Sequence, residues 1–341
     1  MKWLLSIISI LLSLPCFGQG EIDSLVQLGI QYHDNGEYEK AIEVYSEALK
    51  IDSTSSLVRY ELAMTYLSSG DYEKAIQHSD FVIEHEQDED FLILACIAKG
   101  SALSDLGEVK QAINLFKEGI AKFGDFYLLH FNLGICYSKI QDNENAETAF
   151  INAIMDNTSH ASSHYYLAII KSEQHHRGAS LLSLYYFLLL EPSSWRAATA
   201  YELLREQLVG NVQKNENNPD NIELWFSDPH GMEDEFLSVE MILAFIEASN
   251  LLEENKNKTP EELFISNTTS FFTALGELGV NKKGTSLWWD SYVPFFYHIA
   301  QSDYMDVFCN YISVSSNEKA IDWLGANAEK LSDFLKWVIE E

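Results

Sequence analysis

Residues 27–49 read QLGIQYHDNGEYEKAIEVYSEAL, and residues 61–83 read ELAMTYLSSGDYEKAIQHSDFVI. Gly36, Tyr38 and Ala41 of the first stretch return as Gly70, Tyr72 and Ala75 of the second, each displaced by 34 residues. A period of that length marks stacked supersecondary units. One such unit cannot bury its apolar stripe alone, so stability comes from neighbours, and at least three units are needed.

Working outward, the period runs through residues 22–194. The first unit, 22–55, carries Leu28, Gly29, Tyr32, Gly36, Ala41, Tyr45 and Ala48, and the second, 56–89, carries Leu62, Ala63, Tyr66, Gly70 and Ala75. After a short acidic insert from Asp90 to Ile93, the third carries Gly100, Leu103, Gly107, Ala112 and Phe116. The fourth has Leu133, Gly134, Tyr137, Ala146, Phe150 and Ala153, and a degenerate fifth has Leu167, Ala168, Leu184 and Pro192. This pattern resembles the tetratricopeptide-repeat (TPR) family. Two positions depart from it, Lys99 where Leu is usual and Lys171 where Tyr is usual.

The resemblance implies an all-α fold, a TPR helix–turn–helix solenoid of five repeats with a capping helix, and the helical patterning beyond it adds a helical C-terminal domain. Small residues at Gly29, Ala63, Gly100, Gly134 and Ala168 let the two helices of a unit approach closely, and Tyr32, Tyr66, Leu103 and Tyr137 fill the space between units. Trp195 to Val209 reads as an amphipathic cap, with Trp195, Ala198, Tyr201, Leu204 and Leu208 on one face. The array with its cap therefore spans 19–209.

Residues 210–221, GNVQKNENNPDN, are polar and hold Gly and Pro, so they read as a linker. In the C-terminal domain, 222–341, the 34-residue period is lost but helical patterning persists. Thr259, Pro260 and Glu262 form a capping box with proline at the first helical position. Pro294 divides or kinks its helix. The many aromatics here, among them Trp289, Tyr292, Phe296, Phe308 and Phe334, read as a packed helical core rather than a ligand pocket.

Residues 1–18 read as a signal peptide. Lys2 is followed by an apolar run from Trp3 to Leu14, and Cys16 and Gly18 are spaced for cleavage before Gln19. Export to the periplasm or the exterior is expected, with lipidation of Cys16 as the second choice. The net charge of −30 is spread over both halves of the chain and excludes a basic footprint for nucleic acid. It also disfavours an anionic membrane surface. Stable membrane insertion is not expected, because the leader run is short.

No catalytic, metal or cofactor residues are assigned. His78 with His85, and His175 with His176, lack placed carboxylates, and Asp88, Glu89 and Asp90 lack calcium-loop spacing. His230 reads as structural. Cys96 and Cys136 read as small core residues, with one disulfide left open.

By the resemblance, function lies on the face formed by the first helix of each unit, at its fifth and ninth positions. Here the fifth are Val26, Tyr60, Ile97, Phe131 and Tyr165, and the ninth are Ile30, Met64, Ser101, Ile135 and Ile169. The clamp that holds a carboxylate terminus in some members is absent, with Asn132 alone of suitable type. The expected partner surface is Tyr60, Met64, Ile97, Phe131, Ile135, Tyr165 and Ile169. The expected function is an exported scaffold that binds an apolar polypeptide segment. The alternatives are an enzyme whose C-terminal domain acts on recruited substrates, or a subunit whose groove its own C-terminal half fills.

Overall fold

The computed structural model describes residues 14–208, 212–215, 218–224, 237–252, 255–280, 282 and 286–340. The first thirteen residues of the expected leader lie outside them, as does His230. Paired helices come first: α1 Leu14–Asp34, α2 Tyr38–Ile51, α3 Ser56–Ser69, α4 Tyr72–His85, α5 Glu89–Asp105, α6 Val109–Phe123, α7 Tyr127–Lys139, α8 Asn143–Asp156, α9 Ala161–Glu173 and α10 Arg177–Leu190. Then follow α11 Trp195–Leu208, strands β1 Val212–Asn215 and β2 Asn218–Leu224, and α12 Leu237–Asn250 and α13 Pro260–Gly279. The chain ends with α14 Val293–Gln301, α15 Met305–Tyr311, α16 Glu318–Ala326 and α17 Ala328–Glu340.

Each repeat closes on the same turn. The amide of Glu37 donates to the carbonyl of Tyr32 at 2.8 Å, that of Asp71 to Tyr66 at 2.9 Å, and that of Glu108 to Leu103 at 2.8 Å. Asp142 does the same to Tyr137 at 3.0 Å, and His176 to Lys171 at 2.8 Å. This bond satisfies a carbonyl left open at the helix end, and it requires a left-handed residue just before the donor. Gly36, Gly70 and Gly107 occupy that place in the first three repeats, with φ of 73°, 83° and 93°. Gln141 and His175 occupy it in the fourth and fifth, at φ of 60° and 62°. A side chain there costs roughly 1–2 kcal/mol, partly offset by the freedom that glycine would lose on folding. Gln141→Gly and His175→Gly should each raise stability by about 0.5–1 kcal/mol in thermal unfolding. A lowered melting temperature would contradict this reading of the turn.

Within a repeat, the seat between helices is matched in size. Where the first helix offers glycine, the second offers an aromatic. A Cβ on Gly29 would lie 2.3 Å from Tyr45, one on Gly100 2.3 Å from Phe116, and one on Gly134 2.7 Å from Phe150. Where the first helix offers Ala63 or Ala168, the residue at the matching place is the smaller Ser79 or Leu184, and all four are buried. Close packing demands this reciprocity.

By its internal contacts the chain forms two compact units, Met1–Asp156 and Asn157–Glu341. The first holds four helix pairs. The second holds the fifth pair, α11 and the C-terminal helices, so the division falls one repeat before the expected linker. The reason is α10, RGASLLSLYYFLLL, which is apolar on almost every side. Its residues 178–185 and 187–189 are buried, and a helix apolar all round needs cover on all faces.

That cover is the aromatic core of the second unit. Tyr185 packs its ring against Phe272 at 4.8 Å, Phe296 at 5.9 Å and Phe308 at 6.0 Å, and Phe272 stacks on Phe296 at 4.6 Å. The Tyr185 hydroxyl meets the Thr268 hydroxyl at 2.9 Å, satisfying both in a dry interior. Thr259 and Glu262 make the expected capping box, the Glu262 amide donating to the Thr259 hydroxyl at 3.2 Å and the Thr259 amide to the Glu262 carboxylate at 2.8 Å. Pro294 lies in the first turn of α14, directly after a five-residue π-helical turn, Trp288–Tyr292.

Two expectations need correcting. The stretch 210–221 is not all loop, because β1 and β2 pair antiparallel with Val212 opposite Leu224 and Asn215 opposite Asn218. Val212 and Ile222 are β-branched residue types that suit strands. Trp195 is not on the buried face of α11 but 81% exposed. That face is Ala197, Ala200, Tyr201, Leu204 and Leu208.

Candidate functional site

In the first unit, polar rungs tie successive first helices together. A ring nitrogen of His33 on α1 meets the Thr65 hydroxyl on α3 at 2.9 Å. On α5, the Ser101 hydroxyl donates to the Asn132 side-chain carbonyl on α7 at 3.3 Å. The Lys139 ammonium on α7 donates to Ser104 at 2.8 Å and Asp105 at 2.7 Å. Asn132 also donates its amide to the carbonyl of Leu128 at 2.8 Å, so the one residue of carboxylate-clamp type is engaged within the array.

Along these helices the expected partner residues keep part of their surface. Tyr60, Met64, Ile97, Phe131 and Ile135 are all half-buried, as are Leu57 and Leu128 on the same helices. Val26, the fifth-position residue of the first repeat, is buried instead. Phe131 rests on Phe150 with ring centroids 5.9 Å apart and stays half-buried. Lys99 reaches back to Asp80 on α4 with an N–O distance of 2.5 Å, so its departure from the family pattern is met by a charge partner.

Beside this strip lies Glu61, on α3 next to Tyr60 and one turn from Leu57 and Met64. Burial holds its carboxyl above the usual carboxylate range, and Asp34 pushes the same way, while the Tyr45 hydroxyl pulls it down. That hydroxyl donates to Glu61 at 3.4 Å.

In the second unit, Tyr165 and Ile169 on α9 are also half-buried. Tyr165 packs on Phe187 at 5.0 Å, and the Arg196 guanidinium of α11 lies 5.4 Å from its ring centroid. Arg196 is held in turn by Glu191 at 2.5 Å and by Ser162 at 3.0 Å. One face of Tyr165 is therefore already occupied by the capping helix. The C-terminal helices meet the fifth repeat through α10 and through a residue that sequence reasoning missed, His164.

His164 is buried, with Nε2–H donating to the Thr158 carbonyl at 2.8 Å and Nδ1 accepting from the Tyr292 hydroxyl at 2.5 Å. Burial, its largest influence, pushes its pKa down to about 4. The unfolded chain, near 6.5, takes up the proton first. The stability His164 contributes is therefore complete above pH 6.5 and is lost as pH falls toward 4. At about 1.4 kcal/mol per pH unit, the loss reaches at most about 3 kcal/mol. Urea unfolding at pH 7.5 and 4.5 should show this increment in the native chain and not in His164→Gln. Equal pH dependence in both would contradict the assignment.

The other candidate ligands are spent locally. His78 stacks on Tyr66 at 5.5 Å, and burial lowers its pKa to about 4. His85 stacks on Phe81 at 4.2 Å. Asp88 caps α5 by accepting from the Asp90 amide at 2.9 Å, and His175 holds the turn described above. Cys96, Cys136 and Cys309 are free thiols and buried. Among the described residues no group of three or more His, Cys, Asp or Glu could hold a metal ion. Nor, among them, is any helix long and apolar enough to cross a membrane.

Helix pairs seated through a small residue, closed by one repeated turn and leaving an apolar face on their first helices, define a helical-repeat protein-interaction scaffold. The repeats are tetratricopeptide repeats: residues 29–70 match the family described as TPR repeat, and residues 97–170 the one described as tetratricopeptide repeat. No curated protein matches the chain.

Several solved structures resemble it at low identity. A thermophilic TPR protein of Thermus thermophilus is 18% identical with a TM-score of 0.47, covering 55% of this chain and 98% of its own. The pilF protein of Pseudomonas aeruginosa is 16% identical with a TM-score of 0.46, covering 56% and 88%. YrrB, described as a TPR protein with an unusual peptide-binding site, is 18% identical with a TM-score of 0.37, covering 52% and 90%.

Proposed function

We propose that this chain is an exported scaffold that holds an apolar polypeptide segment along the first helices of its repeats and performs no chemistry on it. The observation that carries this reading is the strip Leu57, Tyr60, Met64, Ile97, Phe131 and Ile135, half-buried throughout. An apolar strip facing water is a liability unless something covers it. A partner segment gains by burying several of these side chains together, each apolar side chain contributing roughly 1.5–3 kcal/mol when fully buried. The C-terminal helices spend their aromatic surface on α10, which speaks against their being the cover for Tyr165 and Ile169. Export rests on Lys2, the apolar run and the small residues at Cys16 and Gly18.

A photo-crosslinking side chain placed at Tyr60 or Ile97 in the native host tests the surface, with Glu118 on the exposed side of α6 as control. The expected result is one discrete polypeptide adduct from Tyr60 and Ile97 and none from Glu118, on a protein whose mass begins at Gln19. Adducts from Glu118 alone would move the docking surface off the first helices. A retained leader or a lipid on Cys16 would overturn the export route.

A further inference from the structure

The strip carries an acidic partner of its own. On α3, Leu57, Glu61 and Met64 share one side of the helix, and Glu61 neighbours Tyr60. Glu61 is half-buried, the groups acting on it are Tyr45 and Asp34, and among the described residues no lysine, arginine or histidine pairs with it. Asp34, at the end of α1, adds a second negative charge within electrostatic reach of it. Arg59, two residues before Glu61 on α3, is already engaged by the Ser53 carbonyl and the face of Phe81.

Glu61 is also a positioned residue rather than a stray surface acid. The aromatics seated on Gly29, Gly100 and Gly134 are Tyr45, Phe116 and Phe150, and of these only Tyr45 carries a hydroxyl. It passes through the gap left by Gly29 and reaches Glu61 at 3.4 Å. The residues equivalent to Glu61 in the neighbouring repeats of this unit are Gln27, Ala98 and Asn132, none of them charged.

We infer, resting on the docking reading above, that the bound segment is amphipathic and cationic, with apolar side chains on Tyr60, Met64, Ile97 and Phe131 and a lysine or arginine seated against Glu61 and Asp34. A carboxylate half-removed from water gains more from a cation than an exposed one does, because the local dielectric is lower and the partner replaces lost hydration. The apolar strip gives the segment its grip. The acid pair fixes its register and sign.

The test uses the full chain and two synthetic peptides of equal length, one alternating leucine and lysine and one alternating leucine and glutamate, titrated at 150 mM salt. The leucine–lysine peptide is expected to bind and the leucine–glutamate peptide is not. Glu61→Gln keeps the acceptor for Tyr45, so melting should be unchanged while affinity falls about tenfold. Since Glu61 is one of 52 acidic residues, diffuse attraction to the surface would not notice its loss. Phe131→Ala with Ile135→Ser should weaken the same peptide. Equal binding of both peptides, or an affinity unmoved by Glu61→Gln, overturns the cationic inference while the apolar surface stands. Binding of neither peptide overturns both readings.

Discussion

Phe116→Ala is expected to destabilise the N-terminal unit by about 3–5 kcal/mol, enough to unfold a marginal domain. The ring is fully buried, and it fills the space that Gly100 leaves between α5 and α6. Nothing small can replace it without a cavity, because both helices are held by their neighbours in the stack. The converse change, Gly100→Ala, drives a methyl group to within 2.3 Å of the ring and should cost about 1–3 kcal/mol through overpacking.

The chain itself suggests a rescue, since the fifth repeat joins its helices through Ala168 and Leu184, both fully buried. Gly100→Ala combined with Phe116→Leu should therefore be more stable than the sum of the two changes predicts, by about 1–2 kcal/mol in a double-mutant cycle. Urea unfolding of the four proteins measures it. Additive losses would show that the two positions do not share one seat.

The same seat explains how much of the fold was legible. Gly36 and Gly70 recur 34 residues apart, and Tyr45 and Phe116 hold the same place within their repeats, so residues with a steric reason can be read from sequence. The turns of the fourth and fifth repeats were harder, because Gln141 and His175 hold left-handed backbone without the glycine that signals it. The division after Asp156 was hidden because α10 looks like any second helix until its all-round apolar surface is set against the aromatics of α13, α14 and α15. Trp195 misled for the opposite reason: a large apolar residue on an amphipathic pattern is read as buried, and here it lies at the helix start, in the open.

Of the candidate surface, residue type and repeat position were legible, and neighbours were not. Asn132, of clamp type by its sequence position, is bonded to Ser101 and Leu128. Tyr165 looked like the others and proved half covered by Arg196. His164, one residue away, gave no sequence signal at all, since its partner Tyr292 lies 128 positions along the chain.

The largest functional effect is expected from Phe131→Ala combined with Ile135→Ser. Both residues sit on α7, one helical turn apart on a half-buried face. Removing one well-buried anchor from an interface typically costs ~2 kcal/mol, so two together should weaken binding roughly a thousandfold. The cost to folding is smaller, because neither side chain is wholly inside the core and the seat of Phe150 on Gly134 is left in place. Changes at Ala112 should do the reverse, unfolding the array, since that residue is fully buried between helices.

The decisive measurement is the affinity of the double variant for the polypeptide that crosslinks at Tyr60, taken together with its circular dichroism. Native helicity with binding reduced about a thousandfold is the predicted result. Native helicity with unchanged binding would contradict the central claim and place the partner elsewhere on the chain.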